Sequence, residues 1–381
     1  MKVSLTDICD FQGGTQPPKD EWIDQPAQGY VRMLQIRDFT QSDKNYIEYV
    51  KDTGKLKTCI EDDILIGRYG ASIGKILTGL AGAYNVAIVK TIPDEKVVSK
   101  KYLYWYLNSQ YFQRFISNVG SRAAQAGFNK NDLGAAQIPL IDKERQEEIC
   151  EVLEKANKLI SLRKQQLAKL DELVKARFVE MFGTFPANPF RWDTGKIQDV
   201  VSDVRYGSSR PAVEGGKYPY LRMNNITYSG ELDLRDTKRI DIPDSELDKC
   251  TVRRGDVLFN RTNSKELVGK TCVYNRDELM VLAGFVIRVR VNERIRPEVL
   301  SAFLNMDFSK RMLIGMCKTA IGQANINAKE LQNIDLYIPP IELQDQFVAL
   351  KNKIDQQKQT VQQSLEKLEL LKKALMQEYF G

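Results

Sequence analysis

The residues able to do chemistry are bounded first by an absence. The 381 residues include no histidine. Imidazole bases, Ser-His-Asp and Cys-His nucleophile systems and histidine-bearing zinc sites are therefore excluded. Cys9, Cys59, Cys150, Cys250, Cys272 and Cys317 lie far apart, with no Cys-x-x-Cys pair. They read as free thiols of a reducing cytosol. What stands out instead is a set of polar side chains that recur on loops. Arg68, Tyr69 and Ser72 follow the run Ile64–Gly67, and Arg261, Thr262, Asn263 and Ser264 follow Val257–Asn260. Gln125 and Asn129 find counterparts in Gln323, Asn325 and Asn327. Arg matches the O6/N7 edge of guanine, and Asn or Gln the N6/N7 edge of adenine. Ser, Thr and Lys commonly hold phosphates. Any one of these residues is as well read as ordinary loop surface. The set says more, because the same loop positions are polar twice while their identities differ.

Other chemistries fail on spacing. Gly74-Lys75 and Gly269-Lys270-Thr271 invite comparison with a P-loop, which needs Gly, four residues, then Gly-Lys-Ser/Thr. The leading position is Tyr69 in one copy and Ser264 in the other, and Ile76 follows Lys75. Both read as turns between strands. No Gly-x-Gly occurs for a methyl-donor cofactor, and Asn188-Pro189-Phe190 lacks the second proline of an amine-methylating motif. Asp62-Asp63 has only Asp94-Glu95-Lys96 after it, which reads as a solvated loop rather than a nuclease cluster. No metal site and no catalytic residue is expected.

The elements that must position these loops are legible in the chain's repetition. Gly13-Gly14-Thr15-Gln16-Pro17 matches Gly207-Ser208-Ser209-Arg210-Pro211, and Tyr30–Met33 matches Tyr220–Met223. Asp63–Arg68 matches Asp256–Arg261, Gly74-Lys75 matches Gly269-Lys270, and Leu107-Asn108 matches Leu304-Asn305. Gln125–Asn129 matches Gln323–Asn327. Ile138-Pro139 and Gln146 match Ile338-Pro339 and Gln346, and Phe182-Gly183 matches Phe380-Gly381. Matches in one order at a nearly constant offset imply two copies of one unit, each a globular part followed by a helical part.

From Lys143 to Phe182 there is neither Gly nor Pro, and Ile149, Leu153, Ala156, Ile160, Leu167, Leu170, Val174 and Met181 form a heptad seam, with Arg163 and Arg177 at its remaining positions. The stretch 342–380 repeats this with Phe347, Leu350, Ile354, Val361, Leu368, Leu371 and Leu375, and with Gln357 and Ser364 in the gaps. Leu162, Leu173, Val179, Val348, Leu365 and Leu370 lie off the seams. The globular parts alternate short Val/Ile/Tyr/Thr runs with Gly, Asp and Asn turns. They read as α+β, with mixed, mostly antiparallel strands and one helix each, over 99–117 and 297–314. The boundaries expected are 1–141, 142–183, 184–340 and 341–381. The composition, 43% hydrophobic and 28% charged, is that of a folded chain, and no apolar run approaches the roughly 18 residues of a membrane span. The opening MKVSLTDICD has no leader pattern. The net charge of +6 lies in the globular parts while the helical parts are neutral, which suits a polyanion.

Taken together, the Gly-x-Ser/Thr-x-Pro opening, the Asp-x-Leu strand followed by Arg, the Gln/Asn loop, the Ile-Pro-x-Ile lead into each helix and the Phe-Gly ends resemble the specificity subunit of type I restriction-modification systems, over essentially the whole chain. The resemblance implies two target recognition domains on double-stranded DNA, reading a bipartite site and separated by two antiparallel helices. It also implies two modification (methyltransferase) subunits that bind S-adenosylmethionine, a restriction/translocase subunit, and no cofactor in this chain. The chain is then expected to start directly with a recognition domain and to be cytoplasmic. Expected DNA contacts are Thr15, Gln16, Arg32, Arg37, Arg68, Tyr69, Ser72, Arg122, Gln125 and Asn129 in the first copy. In the second they are Ser209, Arg210, Arg222, Asn224, Asn225, Arg261, Thr262, Asn263, Ser264, Lys318, Gln323 and Asn325. Two other readings stay open: another DNA-modification or stand-alone DNA-binding module, and a coiled-coil scaffold with protein-binding ends.

If the two helices form one spacer, its length sets the gap between half-sites. Inserting seven residues in both helices keeps the heptad phase and adds about 10 Å. The preferred gap should then grow by roughly three base pairs. Methylation of a library with fixed half-sites and variable gaps reads this out. An unchanged gap in an active complex would remove the spacer.

Overall fold

The computed structural model describes residues 1–41, 46–122, 127–320 and 323–381. The chain divides into two compact units, the first assembled from two stretches of chain and the second from one. Unit 1 is Met1–Arg163 with Ser364–Gly381, and unit 2 is Lys164–Gln363.

Unit 1 is built on a four-stranded sheet of β1 (Cys9–Gly13), β2 (Leu65–Gly67), β3 (Ile76–Leu77) and β4 (Ile88–Pro93), in the order β1-β4-β2-β3. Every pair in it is antiparallel. Unit 2 repeats it with β5 (Val201–Tyr206), β6 (Val257–Asn260), β7 (Thr271–Val273) and β8 (Val286–Val291), in the order β5-β8-β6-β7. A second sheet accompanies each, and in both it holds one parallel pair. Met33-Leu34 pairs with Ala83-Tyr84, and Tyr220-Leu221 with Val281-Leu282. The chain ends of each globular part are tied by a short antiparallel ribbon, Lys2–Ser4 on Gln137–Pro139 and Asp193–Lys196 on Asp335–Ile338. These are the mixed strands that the alternating pattern predicts.

In each globular part the single helix expected is split into two consecutive ones. They are α1 (Lys100–Leu107) and α2 (Gln110–Arg122) in unit 1. The long helix α3 (Lys143–Phe182) follows, and α4 (Pro297–Asn305) and α5 (Asp307–Met316) are the pair in unit 2. The breaks have local causes. Ser109 is buried, and its Oγ accepts the Phe112 N–H at 3.2 Å, capping α2. Met306 is extended (ψ 149°) between α4 and α5. Hydrophobic periodicity does not register a stop of one or two residues.

Two glycine pairs fix how the sheet meets its surroundings. A Cβ on Gly14 would lie 2.1 Å from the Asn85 carbonyl oxygen, and one on Gly207 would lie 2.1 Å from that of Leu282. The structural partner of Gly207 is therefore Gly14, not Gly13, because the segment before the following proline is one residue longer in the second copy. Gly74 (φ +74°) and Gly269 (φ +77°) make the β2–β3 and β6–β7 turns and press against Ile116 and Leu313. The Gly-Lys pairs are turns under a helix, as the failed P-loop spacing predicts.

The last helix, α6 (Ile341–Phe380), repeats α3. Each helix is anchored near its start by a buried glutamine. Gln146 Oε1 accepts the Ser99 N–H (2.9 Å), and its Nε2 donates to the carbonyls of Val97 (2.9 Å) and Ile141 (3.0 Å). Gln344 does the same with the Arg296 N–H (2.8 Å) and the Arg294 (3.0 Å) and Pro339 (2.8 Å) carbonyls. Both side chains are inaccessible to solvent. The sequence match to Gln346 is thus corrected: Gln346 is exposed, and α6 begins two residues sooner after its Ile-Pro than α3 does.

Within unit 1, α3 and α6 run antiparallel, with Lys372 Nζ 2.7 Å from Asn157 Oδ1. Phe380 is packed among Ile149, Leu153 and the rings of Tyr102 and Tyr106. Within unit 2 they meet through Phe178, Phe182 and Phe347, whose ring centroids lie 5.0–5.6 Å apart. The seams differ in detail from the heptad reading. On α6 the alternate seam position falls four residues after Ile354 and Val361, not three. Lys358 and Leu365 are buried there, while Gln357 is exposed and Leu371 is 51% exposed. Lys358 is tolerated because Asp171 and Glu231 both pair with it. On α3, Phe178 takes the place expected for Arg177, which is exposed. Of the off-seam residues, Val179 and Val348 pack on the unit 2 core, whereas Leu162, Leu173 and Leu370 are exposed.

The glutamine anchors predict a sharp contrast. Gln344→Leu leaves a buried N–H and two carbonyls without partners, at about 1–3 kcal/mol for each group, so urea unfolding should show a loss of roughly 3 kcal/mol or more. Gln346→Leu should change stability by no more than about 0.5 kcal/mol. Equal effects would mean the buried amide is not the anchor.

Candidate nucleic-acid interface

Both units present an arginine at the end of the central strand, held by the same backbone pattern. The Arg68 N–H donates to the Ala87 carbonyl at 2.8 Å, and the Arg261 N–H to the Phe285 carbonyl at 3.0 Å. The strand is buried along its length, so its end is the first place a long polar side chain can emerge. In unit 1, Arg68 Nε donates to the Phe128 carbonyl (2.9 Å), and the guanidinium lies 5.0 Å from the Tyr69 ring. Tyr69 bridges to Gly127. In unit 2, the Arg261 guanidinium lies 4.8 Å from the Tyr206 ring, and the Arg261 carbonyl accepts the Ile326 N–H at 2.9 Å. Thr262-Asn263 then pairs with Gln323–Asn325, which pairs with Lys318–Ala320. Thr262 Oγ1 donates to Asn325 Oδ1 at 3.1 Å. Residues far apart in sequence, Thr262-Asn263, Lys318–Ala320 and Gln323–Asn325, thus share one three-stranded ribbon that begins next to Arg261.

Among the described residues, Arg68 and Arg261 form no ion pair. Four other expected arginines do. Arg32 pairs with Asp38 (3.3 Å), Arg37 with Glu48, Arg210 with Glu246 (2.7 Å) and Arg222 with Asp236 (3.0 Å). The Arg210 contact raises the arginine's pKa and lowers that of the Glu246 carboxyl, through their hydrogen bond. The exposed pairs of Arg210 and Arg222 are worth about 0–1 kcal/mol and exchange readily for phosphate, whereas the Asp38 and Glu48 carboxylates are buried. Arg68 and Arg261 need no exchange.

The remaining expected residues divide by exposure. Gln16, Ser209 and Asn224 are exposed, and Ser72 and Ser264 are half-buried in their turns. Thr15 Oγ1 is buried without a partner. Two asparagines are occupied by the fold. Asn225 is 2% exposed; its Oδ1 accepts the Arg222 N–H (2.9 Å) and its Nδ2 donates to the Asp233 carbonyl (2.8 Å). As placed it has no edge for a base, which corrects its assignment as a contact. Asn129 caps the short helix Lys130–Leu133, accepting the Asp132 N–H at 3.1 Å, as Asn327 caps Ala328–Gln332. Gln125 lies outside the described residues, and for Arg122, Lys318 and Gln323 the description covers the backbone. The loop reading missed Tyr206, whose ring reaches Arg261 from another strand, and Phe285, whose carbonyl meets it from a turn. Tyr206 is recoverable from the sequence only if Gly207 is aligned with Gly14.

The Gly-Lys motif of unit 2 supplies structure rather than a ligand site. Lys270 Nζ donates to the Met223 carbonyl (3.0 Å) and Lys310 Nζ to the Gly269 carbonyl (2.6 Å). Burial lowers the pKa of both. For Lys310, burial together with nearby Lys175 and Lys270 brings it down to about 7. Among the described residues no cluster of His, Cys, Asp and Glu could hold a metal, and no helix is long and apolar enough to cross a membrane.

Comparison with known proteins supplies the rest. The type I restriction modification DNA specificity domain matches residues 1–172 and 189–370. The putative type I restriction enzyme MjaX specificity subunit of Methanocaldococcus jannaschii is 26% identical over 50% of this chain. That match spans 46% of the relative, so about half its length lies outside it. The MjaVIII specificity subunit of the same organism is 24% identical, covering 98% of this chain and 90% of that one. A solved chain from work on complex assembly and conformational transition of the type I R-M system superposes with a TM-score of 0.61 at 18% identity. It covers 100% of this chain and 97% of its own, and supports the fold.

The Lys310 environment predicts a pH effect with a definite sign. Its folded pKa lies below the ordinary lysine value of about 10.4, so the folded state binds fewer protons than the unfolded state between about 7 and that value. Stability therefore rises with pH across this window and is lost as pH falls toward 7. From pH 6 to 8, wild type should gain stability relative to Lys310→Met in urea unfolding. Parallel pH profiles would mean that Lys310 is solvated.

Proposed function

The chain belongs to the type I restriction-modification DNA specificity family, and from that premise we propose that it is the non-catalytic subunit that reads a bipartite DNA site. The observation carrying this reading is the pair of arginines without acidic partners, Arg68 and Arg261, at the same strand end of both units. Their surroundings differ, as two readers of two different half-sites require. Arg is suited to a bidentate contact with guanine in the major groove. The ion-paired Arg32, Arg37, Arg210 and Arg222, with exposed Gln16, Ser209 and Asn224, serve the flanking phosphates and bases in this reading.

The partners follow from the same premise. Two modification subunits carrying S-adenosylmethionine dock on this chain, and a restriction/translocase subunit joins through them, in the cytoplasm. Leu159, Leu162, Leu370 and Leu371, exposed on the long helices in unit 1, and Leu173 in unit 2, support protein docking on these helices, since exposed apolar surface marks interaction sites. The boundaries 1–141, 142–183, 184–340 and 341–381 separate the two readers from the two helices.

In a complex with the modification subunit, Arg261→Ala should cut modification selectively through the second half-site. The loss should be roughly tenfold to a hundredfold if the base contact is bidentate. A loss uniform over sequences, with the salt slope reduced by about one, would make Arg261 a phosphate contact. No change would remove the strand-end arginines as the reading site. The chain alone, with S-adenosylmethionine and DNA, should transfer no methyl group.

A further inference from the structure

The two arginines occupy one frame but not one environment. The position of Tyr206 in unit 2 is held by Gly13 in unit 1, where an added Cβ would lie 3.7 Å from Arg68 Nη1. The position of Phe285 is held by Ala87, since each carbonyl accepts its arginine's N–H. Unit 2 thus has the Tyr206 ring 4.8 Å from the Arg261 guanidinium, and Phe285 bonded to Arg261 through its backbone, where unit 1 has Gly and Ala. Tyr206 is fixed, because its hydroxyl oxygen accepts the Ala328 N–H at 2.8 Å. It remains 42% exposed, and Phe285 is 54% exposed. A phenyl ring held in water, on the residue whose carbonyl holds the Arg261 N–H, gains by being covered. The neighbouring positive charge selects an anionic partner with an apolar feature close by. In the DNA major groove that feature is the thymine 5-methyl group, which is contacted by Phe and other apolar side chains.

We infer that Phe285 is a specificity-determining residue of unit 2, packing on a thymine methyl beside the base read by Arg261, with Tyr206 as the positioning residue that holds Arg261 in reach. This rests on the reading of Arg261 as a DNA contact. The same arginine in both units therefore reads different steps, because the residue beside it is Phe in one and Ala in the other. Val86, exposed in unit 1 one residue before Ala87, offers a smaller apolar tip at a displaced position, where unit 2 has Gly284.

The test uses the complex with the modification subunit and DNA in which each thymine of the second half-site is replaced singly by uracil, which lacks only the methyl. At one position adjoining the base read by Arg261, uracil should lower kcat/KM by about fourfold, the worth of one buried methyl-sized group. Phe285→Ala should lose the distinction between thymine and uracil there, and Phe285→Leu should retain part of it. The first half-site should be unaffected, and so should folding, because the ring is exposed. The inference is overturned if wild type ignores uracil at every such position, or if Phe285→Ala keeps the preference while Arg261→Ala relaxes base choice. If Arg261→Ala also leaves base choice unchanged, the reading of this site fails and the inference falls with it.

Discussion

Each long helix depends on one buried amide. Gln146 and Gln344 accept one backbone N–H and donate to two carbonyls, joining the segment before the first domain helix to the turn that opens the long helix. Few side chains can satisfy three backbone groups at once, and in a solvent-free site each unmet group costs heavily. The anchor fixes the helix direction relative to its sheet, and from that direction follow the aromatic contacts of Phe178 and Phe347 in unit 2 and of Phe380 in unit 1. Heptad packing could not set this direction, because a seam specifies which face is buried and leaves the rod free to pivot at its end.

The same economy governs the strand ends. The central strand of each sheet is covered on both sides, so its backbone is rigid and its last residue leaves the core at a set place. Arg68 and Arg261 inherit that placement and so need no acid to hold them. Tyr69 and Tyr206 supply π-faces instead, which orient a guanidinium without neutralising it. By contrast, Arg210 and Arg222 leave less constrained segments and are steadied by Glu246 and Asp236. A rigid frame with variable neighbours allows one fold to read different bases, since the arginine keeps its place while the residues around it are Tyr69 and Ala87 in one unit and Tyr206 and Phe285 in the other.

The sequence alone carried the duplication, the α+β class, the two helices with their limits, the turns at Gly74 and Gly269, and the strand-end arginines. These are legible because they depend on local order: periodicity, Gly and Pro punctuation, and repetition at a fixed offset. It could not show which glutamine is buried, since Gln344 and Gln346 differ only in which way the helix faces. It could not show that Asn225 is consumed by its own turn while Asn224 is exposed. Nor could it set the seam position after Ile354, where Lys358 is buried because Asp171 and Glu231 reach it from elsewhere in unit 2. The neighbours of Arg261 were also beyond it, as Tyr206 comes from a separate strand and Phe285 from a turn. Which residues recur is a property of the chain. Which of them meet is decided by packing, because a side chain's partners come from whatever the folded backbone brings within a few ångströms.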